Sequence, residues 1–290
     1  MSYKNFVPEV WAEGIERELD RVCVFAEDCN RKYEGKVKNQ GDSVKILGVG
    51  RPTITTITKA AKDNIDVGEP EIVPTTSEIM YINQISWFNY GIDDIDKAQG
   101  IDGIMDALES ETSEALANEV DKHISSMAVD SSVPKLYGAA PIIPVSDENA
   151  GEGKAYVLDI LDEAILHLRE NDVADSTPIV VTMSYKFFNI FKKAYTKLDT
   201  NNSDMLKNGK VGMYGKVTVK CSNNVHKTNN GTVDNIMMRT KRAIAYAQPL
   251  THTEAYRPEK GFKDAIKGFI LYQAKVVRPK EVININVKYA

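Results

Sequence analysis

The stretch WFNYGIDDIDKAQ, residues 87–99, runs from three aromatic side chains into three aspartates, Asp93, Asp94 and Asp96. Clustered carboxylates can bind a divalent cation or share a proton, but they also suit the positively polarised N-terminus of a helix. Asp96 and Gln99 have the spacing of a capping box, in which the acid accepts backbone N–H bonds and the amide reaches back. We predict that Asp96 and Gln99 cap a helix; a carboxylate-dependent metal-binding enzyme is an alternative.

A long amphipathic helix is predicted directly after the aspartates. From Ile101 to Met127 apolar residues recur at spacings of three and four, with no proline between them. At 1.5 Å per residue such a helix is about 40 Å long. Its opposite face is acidic, which predicts a face turned to solvent and, less favourably, one turned to a basic partner. The acidic residues are Asp102, Asp106, Glu109, Glu111, Glu114, Glu119 and Asp121.

On the N-terminal side of the quoted stretch, residues 36–76 predict a long hairpin that is poor in core residues. A turn signal at Gly41-Asp42 is followed by alternating and β-branched runs. Its main apolar residues are Val44, Ile46, Ile54, Ile57 and Ile65. Because an isolated hairpin is marginal in water, it packs either on the rest of this chain or across a neighbouring chain. The strand that follows, residues 78–90, is apolar on both alternating sets, which predicts cover on both faces.

The remaining segments predict an N-terminal helix and a C-terminal α/β region. Residues 8–33 show a helical apolar period, and residues 129–153 read as a loop before the second region. Ser184 is a predicted N-cap. The other expected elements are helices at 157–168 and 187–195 and strands at 178–181, 217–221, 234–247, 268–279 and 281–289.

Composition and motifs exclude several functional classes. The net charge of −5 and the absence of basic runs give no support for direct nucleic-acid binding. No apolar stretch approaches the roughly 20 residues of a membrane span, and the N-terminus lacks a signal peptide's apolar core. The three cysteines form no CxxC pair. Gly48-Val49-Gly50 lacks the third glycine of a dinucleotide loop, and neither GxSxG nor HExxH occurs. We therefore expect no enzyme, no cofactor and no metal site.

In the order of these elements the sequence resembles the major capsid protein of tailed bacteriophages, which has the α+β fold called Hong Kong ninety-seven-type. The resemblance extends over nearly the full chain. It is carried by NFVPEVWAEGIERELD at 5–20, NRKYEGKVKNQGDSVKILGVGRPTI at 30–54, GIDDIDKAQ at 91–99 and IKGFILYQAKVVRPKEV at 266–282.

The resemblance implies a division of the chain into four parts. These are an N-terminal arm at 1–35, an extended loop at 36–76 that reaches over an adjacent subunit, a peripheral domain at 77–128 and 233–264 with a spine helix at 101–127, and an axial domain at 129–232 and 265–290. Val44, Ile46, Ile54 and Ile57 are then the candidate inter-subunit contacts. The loop at 196–216 would lie near the centre of each pentamer or hexamer.

The implied function is structural: a shell of pentamers and hexamers that encloses double-stranded DNA in the virion, assembled in the bacterial host cytoplasm. Because the arm begins close to Met1, a separate scaffolding protein is expected, together with a portal protein. An encapsulin-like compartment shell, which shares the fold but encloses enzymes, is the first alternative to a phage capsid.

Overall fold

The computed structural model describes residues 23–32, 43–49, 53, 54, 56, 69, 72, 75–93, 104–143, 156–197, 212–259 and 263–289. In this part of the chain, strands form three sheets and three α-helices pack against them. The helices are α1 (Ile104–Ser126), α2 (Val157–Glu170) and α3 (Tyr185–Lys197). The strands are β1 (Ser43–Val49), β2 (Thr75–Tyr81), β3 (Gln84–Asp93), β4 (Ile142–Ile143), β5 (Ile179–Met183), β6 (Met213–Tyr214), β7 (Val217–Cys221), β8 (Lys227–Thr228), β9 (Val233–Thr240), β10 (Ile244–Tyr256), β11 (Lys263–Val276) and β12 (Val282–Tyr289).

A hairpin is present, but its second strand lies later in the chain than predicted: β1 and β2 pair antiparallel from Ser43 opposite Tyr81 to Val49 opposite Thr75, so β2 includes the start of the strand expected over 78–90. A separate three-stranded antiparallel sheet has the order β10-β11-β3. One face of that sheet packs on α1 through residues such as Ile270 and Tyr272 of the main core. The three-stranded sheet therefore lies next to the predicted spine helix, which is observed as α1.

Gly268 allows the three-stranded sheet to close tightly over β3. It lies opposite Phe88, and a Cβ atom there would stand 2.6 Å from Cζ of the Phe88 ring. Glycine is required because the ring crosses the strand where any side chain would overlap it. Phe88 can therefore pack against the main core.

The third and largest sheet, with the helices that pack on it, confirms the predicted C-terminal α/β region. It has seven strands: six follow the order β4-β12-β9-β5-β7-β6, and β8 pairs with β9 outside this order. Strands β5 and β7 are parallel and are joined across α3, as parallel pairing requires a crossover. The Ser184 hydroxyl accepts a hydrogen bond from the Phe187 amide at 3.4 Å, so the predicted N-cap of α3 is confirmed.

One hydrophobic core runs through both sheets and all three helices. Leu116, Val120 and Ile124 of α1 join residues of α2, α3, β5, β9, β11 and β12 in a single cluster. Cys23 and Cys29 are buried in the same cluster, as expected for structural thiols. The two sheets are consequently parts of one packed body.

Three predicted elements are corrected. The strand expected over 78–90 is broken between β2 and β3, and the strand expected over 234–247 is two strands separated by a turn at 241–243. Lys241 and Arg242 lie in that turn because charged side chains do not fit a strand buried along its length. Of the N-terminal helix, residues 23–32 contain only a 3-10 turn, Ala26–Asp28, and residues 1–22 lie outside the described part.

Strand pairing places two segments in sheets that the predicted division into domains did not suggest, and the division itself stays a prediction. Strand β9, expected in the peripheral domain, lies inside the seven-stranded sheet, whereas β11, expected mostly in the axial domain, pairs with β3 and β10. The sequence does not indicate which sheet β9 or β11 joins, because strand pairing depends on contacts between segments that are far apart in the chain.

Candidate inter-subunit surface

The base of the hairpin is anchored in its own subunit. Val44 and Ile46 of β1 are 3% and 2% exposed and form a second apolar cluster. The other members of that cluster are Met80, Ile82, Ala245, Ala247 and Leu271. Since the last three belong to β10 and β11, the hairpin lies on the face of the three-stranded sheet that is turned away from α1.

Polar contacts hold the base of the hairpin in the same position. The Lys275 ammonium donates to the Ile79 carbonyl at 3.0 Å and lies 3.2 Å from the Glu78 carboxylate. The Gln273 side-chain oxygen accepts from Nε2 of His123 of α1 at 2.7 Å, and the Gln273 amide nitrogen donates to Asn83 at 2.9 Å. Burial lowers the pKa of His123, with the Gln273 contact opposing that shift. The junction between β2 and β3 is thus tied to the spine helix.

The structure corrects the role predicted for Val44 and Ile46. Their side chains are covered within the subunit, so they leave almost no surface for a neighbour. Ile54, by contrast, is 85% exposed, and Ile57 lies outside the described residues. Ile72, which the sequence did not single out, is 93% exposed. Ile54 and Ile72, which lie beyond the paired part of the hairpin, therefore lack the cover that Val44 and Ile46 have.

A pair of substitutions distinguishes these two roles. Ile46→Ala removes buried methyl groups and leaves a cavity, so we expect the free energy of unfolding to fall by about 2–4 kcal/mol. Ile54→Ala changes only an exposed side chain, and we expect a change within about 0.5 kcal/mol. Urea unfolding of the free subunit followed by circular dichroism measures both. Equal losses of stability in the two variants would contradict the burial described above.

The outward face of β3 carries the largest apolar surface next to the hairpin. Trp87 is 73% exposed and lies opposite Phe269, which in turn lies opposite His252. Directly opposed residues of antiparallel strands project on the same side, and the Phe269 and His252 ring centroids are 5.7 Å apart. Ile85, on the same side of β3, is also exposed. We call Ile85, Trp87, Phe269 and His252 the aromatic face.

Exposure on β3 and β2 contradicts the predicted cover on both faces. Ile85 and Trp87 of β3 and Ile79 and Tyr81 of β2 are all exposed. Only the other alternating set, with Met80 and Ile82 in the second cluster, is covered. The strand is apolar on both sides, yet this subunit buries only one of them.

Polar residues border the aromatic face. Lys267 forms an ion pair with Glu254 at 3.1 Å and lies 4.9 Å from the centroid of the Tyr256 ring. The Tyr256 hydroxyl donates to Asn89 at 3.1 Å. An apolar centre with a polar border is the usual composition of a protein–protein interface.

Of the three aspartates in the quoted stretch, the structure describes only the backbone of Asp93. Asp93 ends β3, whereas Asp94, Asp96 and Gln99 lie outside the described residues, so the predicted helix cap stays a prediction. Within the described ranges no group of three His, Cys, Asp or Glu side chains is placed to hold a metal ion. None of the described helices has the length and apolar character needed to cross a membrane.

Among the acidic residues of α1 whose side chains the structure describes, Asp121 is buried although the sequence predicted exposure. It is 2% exposed, and its carboxylate accepts hydrogen bonds from the backbone amides of Val24 and Phe25 at 2.8 and 3.0 Å. A buried carboxylate and an exposed one have the same sequence pattern, so only the fold separates Asp121 from Glu111, Glu114 and Glu119. The exposed Trp87 was missed for a similar reason, because apolar residues in a strand normally indicate cover.

Comparison with known proteins places this geometry in a fold. No protein-family model matches the sequence, and no curated protein matches it. Among solved structures, one from Mycobacterium phage Che8 is 27% identical, with a TM-score of 0.69 over 90% of each chain. The capsid of cyanophage P-SCSP1u is 14% identical, with a TM-score of 0.64 over 88% of this chain and 85% of that one. The chain has the Hong Kong ninety-seven-type capsid fold.

A virus-like particle from Pyrococcus furiosus shares the capsid fold at greater distance. It is 10% identical, with a TM-score of 0.55 over 97% of this chain and 98% of that one. Coverage near the full length of each of these chains means that the capsid fold accounts for the hairpin, the spine helix and both larger sheets together. The predicted fold class is confirmed.

Proposed function

We propose that this chain is a structural major capsid protein of a tailed bacteriophage, which assembles with copies of itself into an icosahedral shell around double-stranded DNA. The observation that carries the proposal is the 27%-identical phage structure, which matches nine-tenths of both chains. The capsid of cyanophage P-SCSP1u supports it with the same fold. The role is structural, and no enzymatic step is part of it.

The uncovered apolar surface supports assembly on physical grounds. Aromatic side chains bury about 150–250 Å² each, so the aromatic face with Tyr81 offers on the order of 500 Å². That is less than the roughly 800 Å² per partner of a standard stable interface. One such contact therefore does not hold a pair together, but repetition around a closed ring does, because every subunit then takes part in two contacts, one with each neighbour.

The proposed shell function implies particular binding partners and a particular location. We propose pentamers and hexamers as the shell's units, a separate scaffolding protein and a portal protein during assembly, and the virion as the final location after assembly in the bacterial host cytoplasm. The net charge of −5 suits a shell that confines DNA without binding it site by site.

A compartment shell of the encapsulin type is not favoured by any feature of the described residues. The virus-like particle from Pyrococcus furiosus has both lower identity and a lower TM-score than the structure from phage Che8. A metal-binding enzyme has no support either, since the geometry of Asp94 and Asp96 lies outside the described residues.

Electron microscopy of the purified protein tests the proposal. We expect closed particles, capsomers or tubes when the protein is concentrated, alone or with the scaffolding protein encoded beside it. Analytical ultracentrifugation of the same samples separates assembled from free subunits. Monodisperse monomers at high concentration in both preparations would contradict a shell function.

A further inference from the structure

Residues 23–31 cross the boundary between the two larger sheets. They bury Phe25, Ala26 and Cys29 in the main core before the chain leaves the described part at Lys32. We call residues 23–31 the clasp. Its contacts reach four elements that belong to different sheets or to the spine helix.

The contact with the spine helix is made by Asp121. Its carboxylate accepts from the amides of Val24, Phe25 and Ala26 at 2.8, 3.0 and 3.4 Å. These amides lie at the start of a 3-10 turn and have no partner within the turn, so a side chain from α1 takes the place of an N-cap. Burial raises the pKa of Asp121, while the three backbone donors and the Arg239 guanidinium oppose that shift.

The contacts with the seven-stranded sheet come from Arg239 and Lys220. Arg239 of β9 is buried, donates to the Phe25 carbonyl at 2.7 Å and lies 5.5 Å from the Phe25 ring centroid. The Lys220 ammonium of β7 lies 2.6 Å from the Glu27 carboxylate and 2.7 Å from the Asp28 carboxylate. A buried arginine whose donors are used in this way is costly to release.

The contact with the three-stranded sheet is made by Asn30. Its amide donates to the Ile244 carbonyl at 2.9 Å, and the Tyr246 amide donates to the Asn30 carbonyl at 3.1 Å. The Arg31 guanidinium lies 5.4 Å from the Tyr246 ring centroid. The clasp is thus bonded to β7 and β9 on one side and to β10 and α1 on the other.

Among the described residues, only two short segments of the chain connect the three-stranded sheet directly to the seven-stranded sheet. Strand β9 continues into β10 through residues 241–243, and β11 continues into β12 through residues 277–281. The amides of Val277 and Arg278 both donate to the Ala243 carbonyl, so the connections lie side by side. Two adjacent connections can act as a hinge, because residues at the ends of elements absorb changes in backbone angle.

We propose that the clasp fixes the angle between the two sheets, with Asp121 as its positioning residue, and that this angle sets the curvature of the assembled shell. The proposal rests on the shell function. Contacts between neighbouring copies close a ring only at one rotation per subunit. A subunit whose two sheets vary in angle presents its contact surfaces at varying rotations and closes shells of varying size.

Asp121→Asn is the variant that opens the clasp with the least disturbance. The two side chains have the same shape, so no cavity forms. An amide has one acceptor oxygen for three backbone donors, and its own N–H group would face one of them. Glu119→Gln is the matched control, because Glu119 lies on the same helix with its side chain 55% exposed, where it forms an ion pair with Lys122.

The experiment measures the clasp and the shell separately. Hydrogen–deuterium exchange of the free subunit reports the amides of Val24, Phe25 and Ala26, which we expect to exchange at least tenfold faster in Asp121→Asn and unchanged in Glu119→Gln. Electron microscopy then reports the diameters of assembled particles. We expect one diameter for the unaltered protein and for Glu119→Gln, and a broad distribution for Asp121→Asn.

Two results would overturn the clasp proposal alone. One is a single, unaltered diameter in Asp121→Asn shells whose amides exchange faster, and the other is exchange that does not accelerate. Failure of the unaltered protein to form shells would overturn the shell function and the clasp together. If Asp121→Asn does not fold, Lys220→Met replaces it: this change releases Glu27 and Asp28 at a partly exposed position, and the same outcomes apply.

Discussion

Subunits in which residues 50–74 are replaced by Asn-Gly are expected to fold as stable monomers and to form no shells. Val49 and Thr75 lie directly opposite each other in the hairpin, so a two-residue turn can join them. Asn-Gly suits such a turn because both of its residues tolerate positive φ. The replacement removes Ile54 and Ile72, which are 85% and 93% exposed, and retains the buried Val44 and Ile46.

The fold and the assembly of the shortened chain are measured separately. The circular dichroism spectrum and the unfolding temperature should match those of the unaltered subunit, since a shorter connection has a smaller entropic cost of closure. Sedimentation at a concentration that gives particles for the unaltered protein should show free subunits only. Ile54→Ser with Ile72→Ser, in a chain of full length, is the matched control for the apolar side chains alone. Shells of normal size from the shortened chain would refute a role for this segment in contacts between copies.

Trp87→Ala is expected to weaken assembly by at least about thirtyfold in the required protein concentration while leaving the subunit stable. Exposed aromatic residues that become buried in interfaces cost about 2 kcal/mol or more on truncation to alanine, which corresponds to roughly that factor. In the free subunit Trp87 is 73% exposed, so its loss changes the free energy of unfolding little. Light scattering over a concentration series measures the threshold for assembly.

The fluorescence of Trp87 can show whether its side chain becomes buried when subunits assemble. The chain has two tryptophans, Trp11 and Trp87, so Trp11→Phe leaves Trp87 as the single tryptophan, whose emission is excited selectively over that of tyrosine. On assembly we expect its emission to shift to shorter wavelength and its quenching by acrylamide to fall. Trp87→Phe, which keeps an apolar ring, should retain assembly. Shells in which Trp87 stays as accessible as in the free subunit would show that the aromatic face is not a contact.

Elements with strong local signals were predictable from the sequence. The helix observed at Ile104–Ser126 lies within the predicted 101–127, and β5, α3 with its Ser184 cap, β7 and β12 were found where periodicity placed them. Local periodicity suffices there because the pattern of apolar residues reflects a single buried face. The sequence of residues 36–76 predicted a segment with few core residues, and two of its apolar side chains, Ile54 and Ile72, are exposed.

The identity of the contact residues was not predictable in the same way. Val44 and Ile46 have the same apolar character as Ile54, yet the first two are covered by β10 and β11, which lie some 200 positions later in the chain. Trp87 and Phe88 are adjacent aromatic residues on opposite faces of β3, and only Phe88 reaches the core. Sequence pattern alone does not state which face of a strand a distant element will occupy.

The amino-acid sequence was therefore enough to predict α1, α2 and α3, most strands and the presence of a hairpin, because each produces a pattern among residues that are close in the chain. The order of these elements was enough to show the resemblance to a capsid fold. Only the tertiary structure decided that Asp121 is buried beneath the clasp, that β9 lies in the seven-stranded sheet and β11 in the three-stranded one, and that the aromatic face is exposed. These features depend on pairing and packing between residues far apart in sequence, whose free energy no local pattern records.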